Sequence, residues 1–550
     1  MRIALSLLLA AASSIVCAQS AERILYNGTL YTVNAQQPWA QAIAIDSDGQ
    51  ILAVGDEQTV MAFADDDSEL IDLQGRLVLP GFQDTHAHVL DASSAAQGDC
   101  QLDPQAELAD WQATLADCQA AKPDGWLLGW GHSLHTLLEQ AASPRAVLDE
   151  ISREQPIAIM EETSHSYWLN SAALAQAGIH ADTSDPQGGV ILKNADGEPT
   201  GVVLDNAGDL AMDKALAPSQ ALQTIYYQAV LDGQAALAEN GITSVADARV
   251  FWRRGHLEAW QQAAAQDQLL ARTTLGLWAY PGLDDAAQLA DLKALYHAAQ
   301  DDELLSVSQI KFYVDGIVHN TTARLAEPYD DSLPGVDPRG VYYFTPQRLK
   351  RYVRELAQVG FDAHIHAIGD QAVSDALDAV AGAGQGRHRL THVELVKAED
   401  IPRFAKLGVI ADFQPSQYFQ PSFLADNYPL IGKRADQMLP MRALYDSGAH
   451  VTLSSDWDVN PLSPLGILQN ALSLGKRSLP NLEAAIRAYT LDAAYTLRQE
   501  HTTGSLEVGK QADLVVLSDN LFELPVAQIG EVEVLWTLLG GEETFRHSEF

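Results

Sequence analysis

The chain has 550 residues, 47% of them hydrophobic, and a formal net charge of −39 at neutral pH. That length can bury more than one core, and that hydrophobic share excludes a disordered chain. The charge argues against nucleic acid or an anionic membrane as a partner and leaves a small molecule as the expected ligand. Acidic runs such as Asp65-Asp66-Asp67 and Asp301-Asp302-Glu303 read as solvated surface.

The first element in the chain is a leader. Met1-Arg2 precedes an apolar stretch from Ile3, and Val16-Cys17-Ala18-Gln19 supplies a small-residue cleavage site. Residues 1–18 therefore read as a signal peptide, and the mature chain as periplasmic or secreted. A buried N-terminal helix is the alternative, which the abrupt polar turn at Gln19 disfavours. No later apolar run reaches the roughly 18 residues that a membrane span needs. Residues 19–78 run apolar or alternate, breaking at Gly and Asp, as in Ile24-Leu-Tyr-Asn-Gly and Ala42-Ile-Ala-Ile. Residues 501–550 have the same character, and the two ends together predict one small β-sandwich. Cys100 and Cys118 remain after cleavage. In an oxidising compartment they can close a loop worth about 3 kcal/mol, the alternative being two buried thiols.

Residues 79–500 alternate between short β-branched runs and stretches with helix-period apolar spacing, such as Leu349–Val359 and Asp370–Val380. The runs are Leu77–Val89, Gly241–Asp247, Arg272–Tyr280, Val307–Asp315, Asp362–Ala367, Arg389–Leu395, Val409–Gln414 and His450–Asp456. Eight such units predict an α/β fold, a (β/α)8 TIM barrel with its functional residues at the C-terminal strand ends. The gap at about residues 90–240 predicts an inserted lobe over the barrel mouth.

The strand ends carry metal-binding chemistry. His86 and His88 are two apart and share one side of a strand, with Asp84 on the same face. Two neutral imidazoles so placed can hold a divalent cation of the zinc type. Later strands add Lys311, His366, His392 and Asp456. Each alone has a plain explanation: a lysine reaching the surface, a satisfied core histidine, a helix cap. Their occurrence on strands one, four, five, six and eight points instead to one site, of the kind a binuclear hydrolase needs.

With these residues in view the chain resembles the amidohydrolase superfamily, in its YtcJ-like (amidohydrolase family 3) branch. The likeness rests on Pro80-Gly-Phe-Gln-Asp-Thr-His-Ala-His, His165-Ser-Tyr-Trp-Leu-Asn-Ser, Lys311-Phe-Tyr-Val-Asp-Gly, His366-Ala-Ile-Gly-Asp, Ser455-Asp-Trp and Gly504-Ser-Leu-Glu-Val-Gly-Lys-Gln-Ala-Asp-Leu, which span nearly the whole mature chain. The resemblance implies that His86, His88 and Asp456 hold one metal and that His366 and His392 hold a second. It also implies that Lys311, carboxylated by CO2, bridges them. Two zinc ions are the expected pair, although manganese, iron or cobalt also suits these ligands. His364 shares a face with His366 and is read as its near neighbour. The resemblance further implies hydrolysis of a C–N bond by a metal-activated hydroxide, with Asp456 as general base and acid, and a homodimer by analogy. His165 and Asn170 match family positions near the substrate, with capping or packing as the alternative. Trp130 and Trp457 are candidates for an apolar wall. After Asp315-Gly316 the chain reads Ile-Val-His-Asn where relatives carry smaller residues, which makes His319 a candidate pocket contact. Other readings of the same site are an ester, carbamate or cyclic-amide hydrolase, a deaminase, or a non-catalytic periplasmic binding protein.

Overall fold

The computed structural model describes residues 20–92, 98, 100–300, 303–416, 421–548 and 550. The predicted leader, and Asp301 and Asp302 of the acidic run, lie outside the described residues. Eight parallel strands follow one another around a barrel: Phe82–Ala87, Ile242–Val250, Arg272–Trp278, Leu305–Tyr313, Asp362–Ala367, Arg389–His392, Ile410–Phe413 and Val451–Leu453. The first and last are joined beyond their ends, where the Asp456 N–H donates to the His86 carbonyl at 2.8 Å. Register places Lys311 beside His364, Tyr313 beside His366, and Ala367 beside His392. Helices such as Pro346–Ala357 and Asp370–Ala381 turn apolar faces to the strands, burying Leu349, Val353, Val373 and Leu377.

The run expected as one strand, Leu77–Val89, is two. Leu77–Pro80 pairs antiparallel with Leu514–Leu517, and Phe82–Ala87 pairs parallel with the second barrel strand. Gly81 makes the break, because a Cβ there would lie 2.2 Å from Thr243 Oγ1. The sixth strand, expected to reach Leu395, stops at His392. His392 and Val393 both take left-handed backbone angles, with φ of 73° and 49°. Asp456 does the same at the end of the eighth (φ 56°).

The chain ends form two further sheets. One has four strands, Arg23–Tyr26, Ala42–Ile45, Ile51–Gly55 and Glu69–Asp72. The other has six, among them Thr29–Tyr31, Leu77–Pro80, Leu514–Leu517 and Val534–Leu539. Leu25, Ile43, Val78, Leu514 and Trp536 from both sheets share one buried apolar cluster. A six-stranded mixed sheet between Cys100 and Asp205 forms the lobe, where Cys100 and Cys118 are disulfide-bonded. Among the described residues no helix is long and apolar enough to cross a membrane.

Candidate metal centre and active site

The C-terminal strand ends bring six of the sequence-predicted residues together. His86 Nε2 and His88 Nε2 lie 2.9 and 3.1 Å from Asp456 Oδ1. His392 Nδ1 is 3.9 Å from Asp456 Oδ2, and its ring centroid is 4.6 Å from that of His366. Lys311 Nζ is 3.3 Å from His86 Nδ1, in a fully buried position. The left-handed turns at His392 and Asp456 explain how residues just past their strands aim inward. Such backbone costs about 1–3 kcal/mol per residue and persists where surrounding structure holds it.

Burial sets the electrostatics. Desolvation pushes Lys311 well below the usual lysine range, with the Arg389 charge adding to it. Desolvation also drives His86 and His366 well down, and takes His392 down to about 3, so the imidazoles are neutral donors. Burial alone would raise Asp456, but the electrostatic pull of the His86 ring and hydrogen bonds from His86 and His88 hold it far below the carboxylate range.

The donor set fits divalent cations. His86, His88 and Asp456 offer three ligand atoms within 4.8 Å of one another. His366 faces the Gly316 carbonyl with Nε2 at 3.2 Å, while its buried Nδ1 has no hydrogen-bond partner among the described residues. A buried imidazole nitrogen without a partner is costly unless an electron-pair acceptor meets it. A second ligand group, His86 with His364 and Asp412, lies close by. The Asp412 oxygens there already accept from Thr85, Thr391, Thr452, Ser454 and Gln414, so this carboxylate ties strands together.

One inner residue, Arg389, escaped the sequence reading, which named His364 and Asp84 without their structural roles. His364 Nε2 is 2.6 Å from His86 Nδ1, and Arg389 donates to His364 Nδ1 at 2.7 Å. His364 therefore braces the back edge of the His86 ring, with Arg389 behind it. Shared parity with His366 was the available signal, but parity does not give depth along the barrel axis. Asp84 accepts from Ser455 N and Tyr489 Oη and so clamps the first strand to the last.

Above the six residues lies a cavity of about 290 Å3, lined by barrel and lobe side chains together. His165 lines it; its Nδ1–H donates to Asp205 Oδ1 at 2.7 Å, which also accepts from Tyr343 Oη at 3.1 Å. His319 lines it too, set edge-to-face against His135 with ring centroids 4.1 Å apart and planes 61° apart. The loop after His319 is tied to the lobe where Asn320 Nδ2 donates to Glu161 Oε2 at 2.8 Å. Carboxyls also face the cavity: burial raises Glu394 to about 8, and burial with the Glu161 charge raises Glu162 to about 7.

Three expected contacts are corrected. Asn170 caps the helix Ser171–Ala177: its Oδ1 accepts from Ala173 and Ile157 N–H, and its Nδ2 donates to Ser152 and Gln155 carbonyls. With every polar valence used inside the lobe, it has nothing to offer a substrate. Trp130 sits on the lobe strand Leu127–His132 and is not among the cavity's lining residues. Trp457 packs against the edge of the main apolar core, likewise off the lining.

Comparison with known proteins bears on the family and the fold. The amidohydrolase family profile matches residues 69–545. YtcJ of Bacillus subtilis is 29% identical over 562 residues, covering 96% of this chain and 99% of that protein. N-substituted formamide deformylase of Arthrobacter pascens is 26% identical over 543 residues, covering 95% and 98%. In fold, the chain is similar to an uncharacterized metal-dependent hydrolase from Pyrococcus furiosus, with a TM-score of 0.70 at 23% identity over 90% of this chain and 99% of that one.

Proposed function

The chain belongs to the amidohydrolase family, and on that premise we propose that it is an exported hydrolase that cleaves the C–N bond of a small-molecule amide or N-acyl compound. The observation that carries this reading is the gathering of His86, His88, Lys311, His366, His392 and Asp456 beneath one cavity. His86, His88 and Asp456 would hold one cation, and His366 and His392 a second. Lys311 carboxylated on Nζ would supply an anionic oxygen to both, turning a buried amine that, among the described residues, has no carboxylate hydrogen-bonded to it into a ligand. Nitrogen and carboxylate donors of this kind suit zinc. Cations held there lower the pKa of water and polarise a carbonyl oxygen.

The protein's own groups do the rest. Asp456 faces the cavity floor and is ionised, so it accepts the proton of the attacking water and returns it to the leaving nitrogen. His165, fixed through Nδ1 by Asp205, presents Nε2 to the cavity, where it can hold the carbonyl or the leaving group. The lobe covers the site and limits water. The leader at residues 1–18 and the disulfide of the lobe support export to an oxidising compartment.

The name of the Arthrobacter relative makes N-formyl amines the first compounds to try. The purified mature chain, zinc-loaded, is expected to hydrolyse members of an N-formyl and N-acetyl amine panel. Chelation should abolish turnover and added metal restore it. Turnover that survives full metal removal would overturn the proposal.

A further inference from the structure

Glu394 is unlike the other carboxyls around the barrel. It sits two residues beyond His392, past the left-handed turn at His392 and Val393, and is 8% exposed. Its carbonyl accepts from Leu439 N–H, but among the described residues no donor or cation is hydrogen-bonded or ion-paired to its carboxyl, which lines the cavity. Buried carboxyls elsewhere in the molecule are engaged: Asp84 by Ser455 and Tyr489, Asp412 by five side chains, Asp315 by three backbone N–H groups. A desolvated acid with nothing to bind it is costly, and here its one open direction is the cavity.

The rest of the wall has the same sign. Glu162 and Asp426 line the cavity. Among the described lining residues Arg249 is the sole lysine or arginine, and it is already paired with Asp91 at 3.4 Å. An anionic group on the substrate would meet Glu394, Glu162 and Asp426 on the walls, Asp456 on the floor, and one guanidinium already engaged. A protonated amine would meet the Glu394 carboxyl directly.

We infer that the substrate carries a cationic nitrogen at the end away from the scissile bond, received by Glu394, with Glu162 in the wall of the same cavity. The proposed substrates are thus N-acyl derivatives of diamines or similarly basic amines. This rests on the amide-hydrolase reading of the same cavity, and the experiment separates the two. Three probes of matched length serve: N-formyl-1,5-diaminopentane, N-formylpentylamine and N-formyl-5-aminopentanoate. Each is tested on the zinc-loaded protein by turnover and by calorimetric binding.

The expected result is a kcat/KM, or an affinity, about tenfold or more higher for the ammonium probe than for the neutral one, with the anionic probe poorest. E394Q should bring the ammonium-to-neutral ratio to about one, with the change chiefly in KM. Thermal melting checks that E394Q is folded; if it is not, E162Q replaces it and should lower the ratio by a smaller factor. Binding that favours the ammonium probe through Glu394, with no turnover of any probe, would sink amide hydrolysis and keep the charge assignment. Turnover with a neutral or anionic preference, equal or absent binding of all three, or a ratio unchanged in the folded variant would overturn the charge assignment.

Discussion

Asp456 stands where three imidazoles and the cavity meet, and its two oxygens divide the work: Oδ1 faces His86 and His88, Oδ2 faces His392. Replacing it with Asn keeps the volume and one coordinating oxygen but removes the proton acceptor. D456N is expected to lose about 10²- to 10⁴-fold in kcat while keeping much of its metal by elemental analysis. Near-normal turnover would remove Asp456 from proton transfer. Asp247, on the second strand beside Ala87, offers a pH test outside the proposed ligand set. Burial, then the Asp91 charge, raises it from 3.8 to about 7, and it accepts from Trp260 Nε1 at 2.9 Å. Its folded-state pKa exceeds the unfolded one, so the folded chain holds that proton and loses stability as pH rises from about 4 through 7. D247N can keep the Trp260 bond without the charge. It should match wild type near pH 4 and be the more stable at pH 8, by on the order of 4 kcal/mol; a pH-independent difference would contradict the shift. Residue type was legible at His86, His88, His366 and Asp456, because few structural needs put those groups at inward strand ends. It was not legible at Asn170, whose neighbourhood matches a family motif while its amide serves a helix cap.

At the scale of elements, the strands were legible from β-branched runs and their spacing, but two features of their ends were not. One is the break at Gly81, where the chain passes from the terminal sheet to the barrel. Both halves are apolar, so periodicity gives no boundary, and the signal is only the space that Thr243 takes. G81A forces that contact and is expected to destabilise the chain by about 1–3 kcal/mol, read as a lower urea midpoint. An unchanged midpoint would mean that the two strands part without cost. The other feature is the left-handed turn at His392, Val393 and Asp456. Valine is poorly suited to such angles, so nothing in the local sequence announces the turn. It is imposed by the barrel and the loops around it, and it is what brings His392 and Glu394 to the same cavity.

At the scale of the molecule, one order of strands places groups from residue 86 to residue 456 within a few ångströms, while the lobe between the first two strands supplies the roof. The apolar cluster shared by both chain ends closes the structure at the opposite extreme of the sequence. The acidic surface and the carboxyl-lined cavity share a sign, so long-range steering and local recognition both favour cations over anions. All of this turns on whether metal binds among the six gathered residues. Zinc-loaded crystals measured at the zinc absorption edge test that most directly. Two anomalous peaks are predicted, one among His86, His88 and Asp456 and one between His366 and His392, with density for a carboxylated Lys311 between them. Peaks elsewhere on the molecule, or none at these side chains in fully loaded protein, would contradict the account.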